Sequence, residues 1–160
     1  MSAKKLVRIS VIAALYAVLT YALPALAYGP IQFRLSEVMT LLAFIDPFYV
    51  FPLTLGCAIA NIASPFGIID VIVGSLASFL ALYAMSKTKN IYIASLWPTL
   101  FCFIIGLEIL FLSNEPINLF LVTGQIMISE FIVVSIIGVT LFKLIEKNDY
   151  IMNMLKNIPS

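Results

Sequence analysis

Seven residues of this 160-residue chain bring polar chemistry to places where it is costly: Arg34, Glu37, Asn61, Asp70, Glu108, Gln125 and Glu130. Each stands in or beside an apolar run. A charged side chain inside a bilayer span costs about 2.5–3.5 kcal/mol on insertion scales, so its presence needs a reason. The inventory is lopsided, with four carboxylates set against one arginine. A carboxylate accepts two parallel N–H bonds, as from a guanidinium or a guanine-like edge. The set therefore favours a ligand rich in hydrogen-bond donors, or a cationic one, over an anion.

Other chemistries are excluded by what is missing. There is no histidine, which removes His-based metal sites and the Ser-His-Asp triad. None of the seven glycines forms a GxxxxGK[ST] phosphate loop, and no GxSxG elbow or HExxH helix occurs. No enzyme, cofactor or metal is expected. Cys57 and Cys102 each sit in an apolar run and read as small buried hydrophobes, with no disulfide framework. A net charge of +1 and the lack of a basic patch argue against nucleic acid.

The elements that must hold the seven residues are membrane helices. The mean hydropathy is +1.11, and the chain is 62% hydrophobic with only 11% charged residues. That balance belongs to an integral membrane protein. A span needs about 20 apolar residues, and four runs meet this at about 7–28, 68–86, 91–112 and 117–146. The first carries Ser10, Ala13, Ala14 and Ala17 at helical spacing, a face suited to close helix contact, and is read as a retained helix rather than a cleaved signal. The stretch 35–62 is one overlong helix or two short ones broken at Asp46-Pro47.

Charge decides between them. Basic residues cluster at Lys4, Lys5 and Arg8, at Lys87 and Lys89, and at Lys143, Lys147 and Lys156. The positive-inside rule wants all three groups on the cytoplasmic side, and only six spans put them there. The expectation is thus an all-α integral membrane protein, a single domain over 1–160. It is a six-helix transmembrane bundle of the cell membrane, helices about 7–28, 33–45, 47–62, 68–86, 91–112 and 117–146, with both termini cytoplasmic. Outer loops fall near 29–36, 63–67 and 113–116, so Arg34 is the one basic residue outside.

Under that topology Glu37, Asn61, Asp70, Glu108 and Gln125 lie in the outer half on different helices, and Glu130 lies nearer the midplane. Taken singly, Glu37, Asp70 or Glu115 also reads as an interfacial residue or a helix cap, and Ser64-Pro65-Phe66-Gly67 as a tight turn. Convergence from five helices favours a polar pocket opening outward. Tyr21, Phe33, Phe66 and Phe111 lie near the same level, where they stack a planar ring or simply form an interfacial belt. Small-residue stripes on the fourth helix (Gly74, Ala77, Ser78, Ala81) and the third (Gly56, Ala60) suit helix packing. The face on the first helix is the one offered to a partner. A binding subunit energised by other subunits fits the absences best. The alternatives are a binding subunit for another heterocycle or vitamin, and a self-sufficient cation-coupled carrier using Glu108 and Glu130.

The stretches "IQFRLSEVMTLLAF", "GCAIANIASPFGIIDVIVGSLAS" and "GQIMISEFIVVSIIG" together resemble the QueT family. These are substrate-binding S components of energy-coupling factor (ECF) transporters for queuosine precursors. The resemblance implies an outward-facing pocket for a 7-deazaguanine, and partnership with a coupling membrane subunit and two ATP-binding subunits. By position it implies Arg34, Glu37, Asn61, Asp70, Gln125 and Glu130 as ligand residues, with Glu108 beside them. It also implies docking of an AxxxA-type motif, matched by Ala13 to Ala17, on the coupling subunit. Arg34 is left open between contacting the ligand and bracing Glu37 or Asp70 by an ion pair.

Overall fold

The computed structural model describes residues 2–113 and 116–156, and all of its regular structure is helical. Glu115, and with it part of the loop near 113–116, lies outside the described residues. The helices are α1 (Ala3–Tyr21), α2 (Leu35–Ile45), α3 (Pro47–Asn61), α4 (Ile68–Lys87), α5 (Ile91–Leu112), α6 (Leu119–Glu146) and the short α7 (Asp149–Lys156). One further helical turn, Pro24–Ala27, comes after α1.

Local chemistry sets the starts. A polar side chain accepts from the orphan amides of the first turn at Ser2 for α1, at Asn90 for α5 and at Asn118 for α6. Between α2 and α3 the backbone of Asp46 is extended, and its carboxylate accepts from the Phe48 amide at 2.7 Å. Pro47 comes next, at the first helical position, where its missing N–H costs nothing.

Lengths separate the helices into two groups. α4, α5 and α6 are each long and apolar enough to cross a bilayer. α2 and α3 are shorter apolar helices of 11 and 15 residues, and α1 carries Lys4, Lys5 and Arg8 in its first turns. Residues 35–41 of α2 wind as a 3-10 helix, which is stretched. At about 2.0 Å per 3-10 residue and about 1.5 Å per α residue, α2 reaches roughly 20 Å. Residues 131–138 of α6 are wound more loosely, as a π-helix with i→i+5 bonding.

Packing closes the helices into a ring. α1 lies on α3, α3 on α4, α4 on α5, α5 on α6, the π segment of α6 on the 3-10 segment of α2, and α2 on α1. Consecutive helices alternate in direction, and one end is tied by cationic contacts. Lys5 lies over the Phe48 ring and Arg8 over the Tyr49 ring; Arg8 also donates to the Met154 carbonyl of α7, and Lys143 to the Tyr92 hydroxyl. Every lysine and arginine except Arg34 belongs to the segments gathered at this basic end. The main apolar core lies toward it, around Tyr49, Leu53, Leu82, Met85, Val133 and Val134. The buried charged residues Arg34, Glu37, Asp70, Glu108 and Glu130 lie toward the opposite end and middle.

The face of α1 offered to a partner is corrected here. Ala13 and Ala17 are only 2% and 4% exposed. Gly56 of α3 sits so close that a Cβ there would meet the Tyr16 Cβ at 2.8 Å and the Ala13 carbonyl oxygen at 3.0 Å. The small residues bring two helices of the same chain together, so this pair is not free for another subunit.

Candidate functional site

Four helices and one loop surround a cleft. Gln32 and Arg34 come from the loop before α2, Glu37 and Thr40 from α2, and Ile126 and Glu130 from α6. The wall facing them is the α4 stripe Gly74, Ala77, Ser78 and Ala81, with Leu82 below; α5 adds Pro98, Phe101, Cys102 and Ile105. The cleft has a volume of about 50 Å³. It is a narrow slot, smaller than the apolar cavity at the other end. A second cavity of about 150 Å³, between α2, the end of α6 and Leu155, is lined by apolar residues and Gly138.

Glu37 is positioned from behind. It sits in the first turn of α2, buried, and its Oε1 accepts a hydrogen bond from the Tyr16 hydroxyl of α1. Tyr16 is itself fully enclosed. Next to it, the Thr20 and Ser36 hydroxyls pair at 2.7 Å, and the Thr40 hydroxyl donates to the Glu37 carbonyl oxygen at 2.5 Å. These bonds hold the 3-10 turn and keep Glu37 in the lining of the slot. Glu130 reaches the same cleft from the last α-helical residue before the π segment. π stretches are rare and are often found at functional sites.

Arg34 is buried at the mouth. Its Nε donates to the Ala27 carbonyl at 3.3 Å, and its guanidinium lies 5.6 Å from the Tyr28 ring centroid. A backbone oxygen and an aromatic face thus hold it in the lining of the cleft. Beside it Gln32 has φ +50°, the one non-glycine residue with positive φ among the described residues. Backbone in that region is costly for a side-chain-bearing residue, and such costs concentrate at ligand sites.

The other expected residues lie elsewhere. Asn61 is fully buried in the α3–α4 seam, where its Nδ2 donates to the Asp70 backbone carbonyl at 3.1 Å. Asp70 and Glu108 are buried one turn beyond the cleft wall, on α4 and α5. Gln125 is exposed and lines no part of the cleft. Five residues separate it from Glu130; at about 100° per residue they point roughly 140° apart, so one helix cannot aim both at one slot. Of the aromatics, Phe101 lines the cleft, while Phe111 is exposed and the Tyr21 hydroxyl donates to the Ile59 carbonyl.

Tyr16, Gln32, Thr40, Phe101 and the α4 stripe are site residues that sequence reasoning did not assign. The stripe had a usable signal: Gly74, Ala77, Ser78 and Ala81 recur at helical spacing on one face. Tyr16 had none, since an apolar helix gives no notice of a phenol aimed at a carboxylate on another helix.

Comparison with known proteins adds a family. Residues 6–147 match the family described as QueT transporter. The chain is also 35% identical over 144 residues to the queuosine precursor transporter QueT of Lactococcus lactis subsp. cremoris (strain MG1363), an alignment covering 79% of this chain and 83% of that protein. No solved structure is significantly similar. A buried polar slot in a bundle of apolar helices, together with a family match over most of its length, establishes that this chain is a membrane transporter, not an enzyme, and belongs to the QueT transporter family.

Proposed function

We propose that the chain is the substrate-binding S component of an ECF-type importer, and that its cleft captures a queuosine precursor, a 7-deazaguanine. The observation that carries this reading is the pairing of Glu37 and Glu130 in one slot in a chain of this family. A deazaguanine presents an N1–H and an exocyclic amine on one edge, a match for a carboxylate that accepts two N–H bonds. The ring's acceptor oxygen has Arg34 and Gln32 within the same lining. Phe101 offers a face against which a planar ring packs.

The topology proposed with it has six spans, with the basic end in the cytoplasm, as the positive-inside rule favours. The cleft then opens outward. Uptake draws on ATP-binding subunits and a coupling membrane subunit, since the chain has no phosphate loop of its own. Docking would use a surface other than the Ala13–Ala17 pair.

Calorimetry of the purified protein in detergent, without ATP, tests the reading. A 7-deazaguanine should bind, and Glu37→Gln and Glu130→Gln should each weaken it at least tenfold. Unchanged affinity in both variants would sink the site assignment. Failure of every deazaguanine to bind, with binding of a B vitamin instead, would sink the ligand.

A further inference from the structure

A local rule is broken beside the cleft. Gly29, Pro30, Ile31 and Gln32 form a turn, closed by the Gln32 amide donating to the Gly29 carbonyl at 3.0 Å. Proline at the second position presets such a turn, and glycine is favoured at the fourth. Here the fourth position is Gln32, with φ +50°. That region is costly for a residue bearing a Cβ, and glycine, asparagine or aspartate ordinarily fills it. The next two residues hold the backbone there. The Phe33 amide donates to the Leu26 carbonyl at 2.8 Å, and Arg34 Nε to the Ala27 carbonyl at 3.3 Å. Both carbonyls belong to the helical turn Pro24–Ala27. The loop is pressed onto that turn, since a Cβ on Gly29 would meet the Ala25 carbonyl oxygen at 2.5 Å.

Nothing within the described chain explains a glutamine at this position. Its side chain is half-buried and lines the cleft, and its carboxamide forms no hydrogen bond with another described residue. The cleft supplies a reason. Besides Gln32, its lining has polar groups on Arg34, Glu37, Thr40, Ser78 and Glu130. The Thr40 hydroxyl already donates to the Glu37 carbonyl, and the Ser78 hydroxyl pairs with Cys57 Sγ at 3.1 Å. Ionised carboxylates only accept. Gln32 and Arg34 are therefore the N–H donors left to meet acceptor atoms of a ligand.

We infer that Gln32 is a specificity-determining residue. The turn holds a side-chain-bearing residue in a conformation suited to glycine, so that its carboxamide donates to an acceptor atom of the bound heterocycle. Strained backbone of this kind persists where the surroundings over-determine it, and it clusters at ligand clamps. The assignment deepens the reading of the cleft as the ligand site, and rests on it.

Opposite effects on stability and affinity test it. Calorimetry and thermal unfolding of the full chain in detergent would compare wild type, Gln32→Gly and Gln32→Glu against a panel of 7-deazaguanines and B vitamins. Gln32→Gly relieves the backbone and deletes the carboxamide. Its unfolding midpoint should stay at or above wild type while affinity falls roughly tenfold or more, as for one lost hydrogen bond to a buried group. Gln32→Glu keeps the length of the side chain but replaces its N–H donor by an acceptor. Its midpoint should stay near wild type, with a similar loss of affinity. A residue that only shapes the loop would lower the midpoint in Gln32→Gly and leave affinity intact in Gln32→Glu. Either result would overturn the inference. Failure of the cleft reading looks different: wild type itself would bind no member of the panel, and the role of Gln32 would fall with it. A B vitamin bound in place of a deazaguanine, with the same losses in both variants, would overturn the ligand and uphold Gln32.

Discussion

On α1, Ala13 and Tyr16 press against Gly56 of α3, leaving no room for even one added methyl group at the glycine. On α4, Ala77, Ser78 and Ala81 face a slot, while Gly74 beside them is packed against Asn61 of α3. The spacing of small residues is alike in the two helices, and the outcomes are opposite. The difference lies in what stands across from them. α1 meets another small face, Gly56 and Ala60, so the backbones approach and the seam closes. The α4 stripe meets Glu37, Thr40, Phe101 and Glu130, whose bulk and polarity hold the neighbours off. Small residues therefore produce contact or cavity according to the opposing helix, and here the opposing helices are the 3-10 part of α2 and the run of α6 entering its π segment.

Enlarging one residue in each seam breaks this comparison most directly. Gly56→Leu should force α1 off α3 and destabilise the protein by about 3 kcal/mol or more, the upper range for overpacking, read as a large fall in the unfolding midpoint in detergent. Ala81→Leu should do the reverse. It fills the slot, so binding of a 7-deazaguanine should fall at least tenfold, about 1.4 kcal/mol, with the unfolding midpoint near wild type. If Ala81→Leu destabilised as much as Gly56→Leu while binding held, the α4 stripe would be packing and not a cleft wall.

Smaller effects sharpen the same contrast. Tyr16→Phe removes the donor to Glu37 and should cost about 1–3 kcal/mol of stability, as for leaving a buried polar group without its partner, with a several-fold loss of affinity. Arg8→Ala should act at the basic end alone. It removes a donor to the Met154 carbonyl, so amides of Asp149–Lys156 should exchange faster while ligand affinity stays within twofold. A tenfold affinity loss in Arg8→Ala would show that the two ends are coupled.

How much of this was legible in the residue order varies by element. The helix break at Asp46-Pro47 is written in residue type, because proline removes a donor and an Asx side chain caps the next helix. Arg34, Glu37 and Glu130 could be singled out by cost: ionisable groups in apolar runs need partners. Their neighbours could not. Asn61 and Glu37 are both polar residues near helix ends, yet one bonds to the backbone across the α3–α4 seam and the other faces the slot. Gln125 was excludable from periodicity once Glu130 was placed. Ala13 and Ala17 were not, since a small face fits an internal helix and an external one equally well.

Composition and order alone dictate an apolar, helical chain with all its cations but Arg34 gathered into three groups, carboxylates outnumbering that arginine within its apolar runs, and its glycines and alanines in stripes. These features come from local rules, the transfer cost of each side chain and the 3.6-residue period. Closure of the ring decided everything that depends on which helix faces which. It turned one stripe into a seam and another into a wall, and brought Tyr16 to Glu37. Such pairings join residues tens of positions apart, and no period along the chain encodes which face of one helix another will cover.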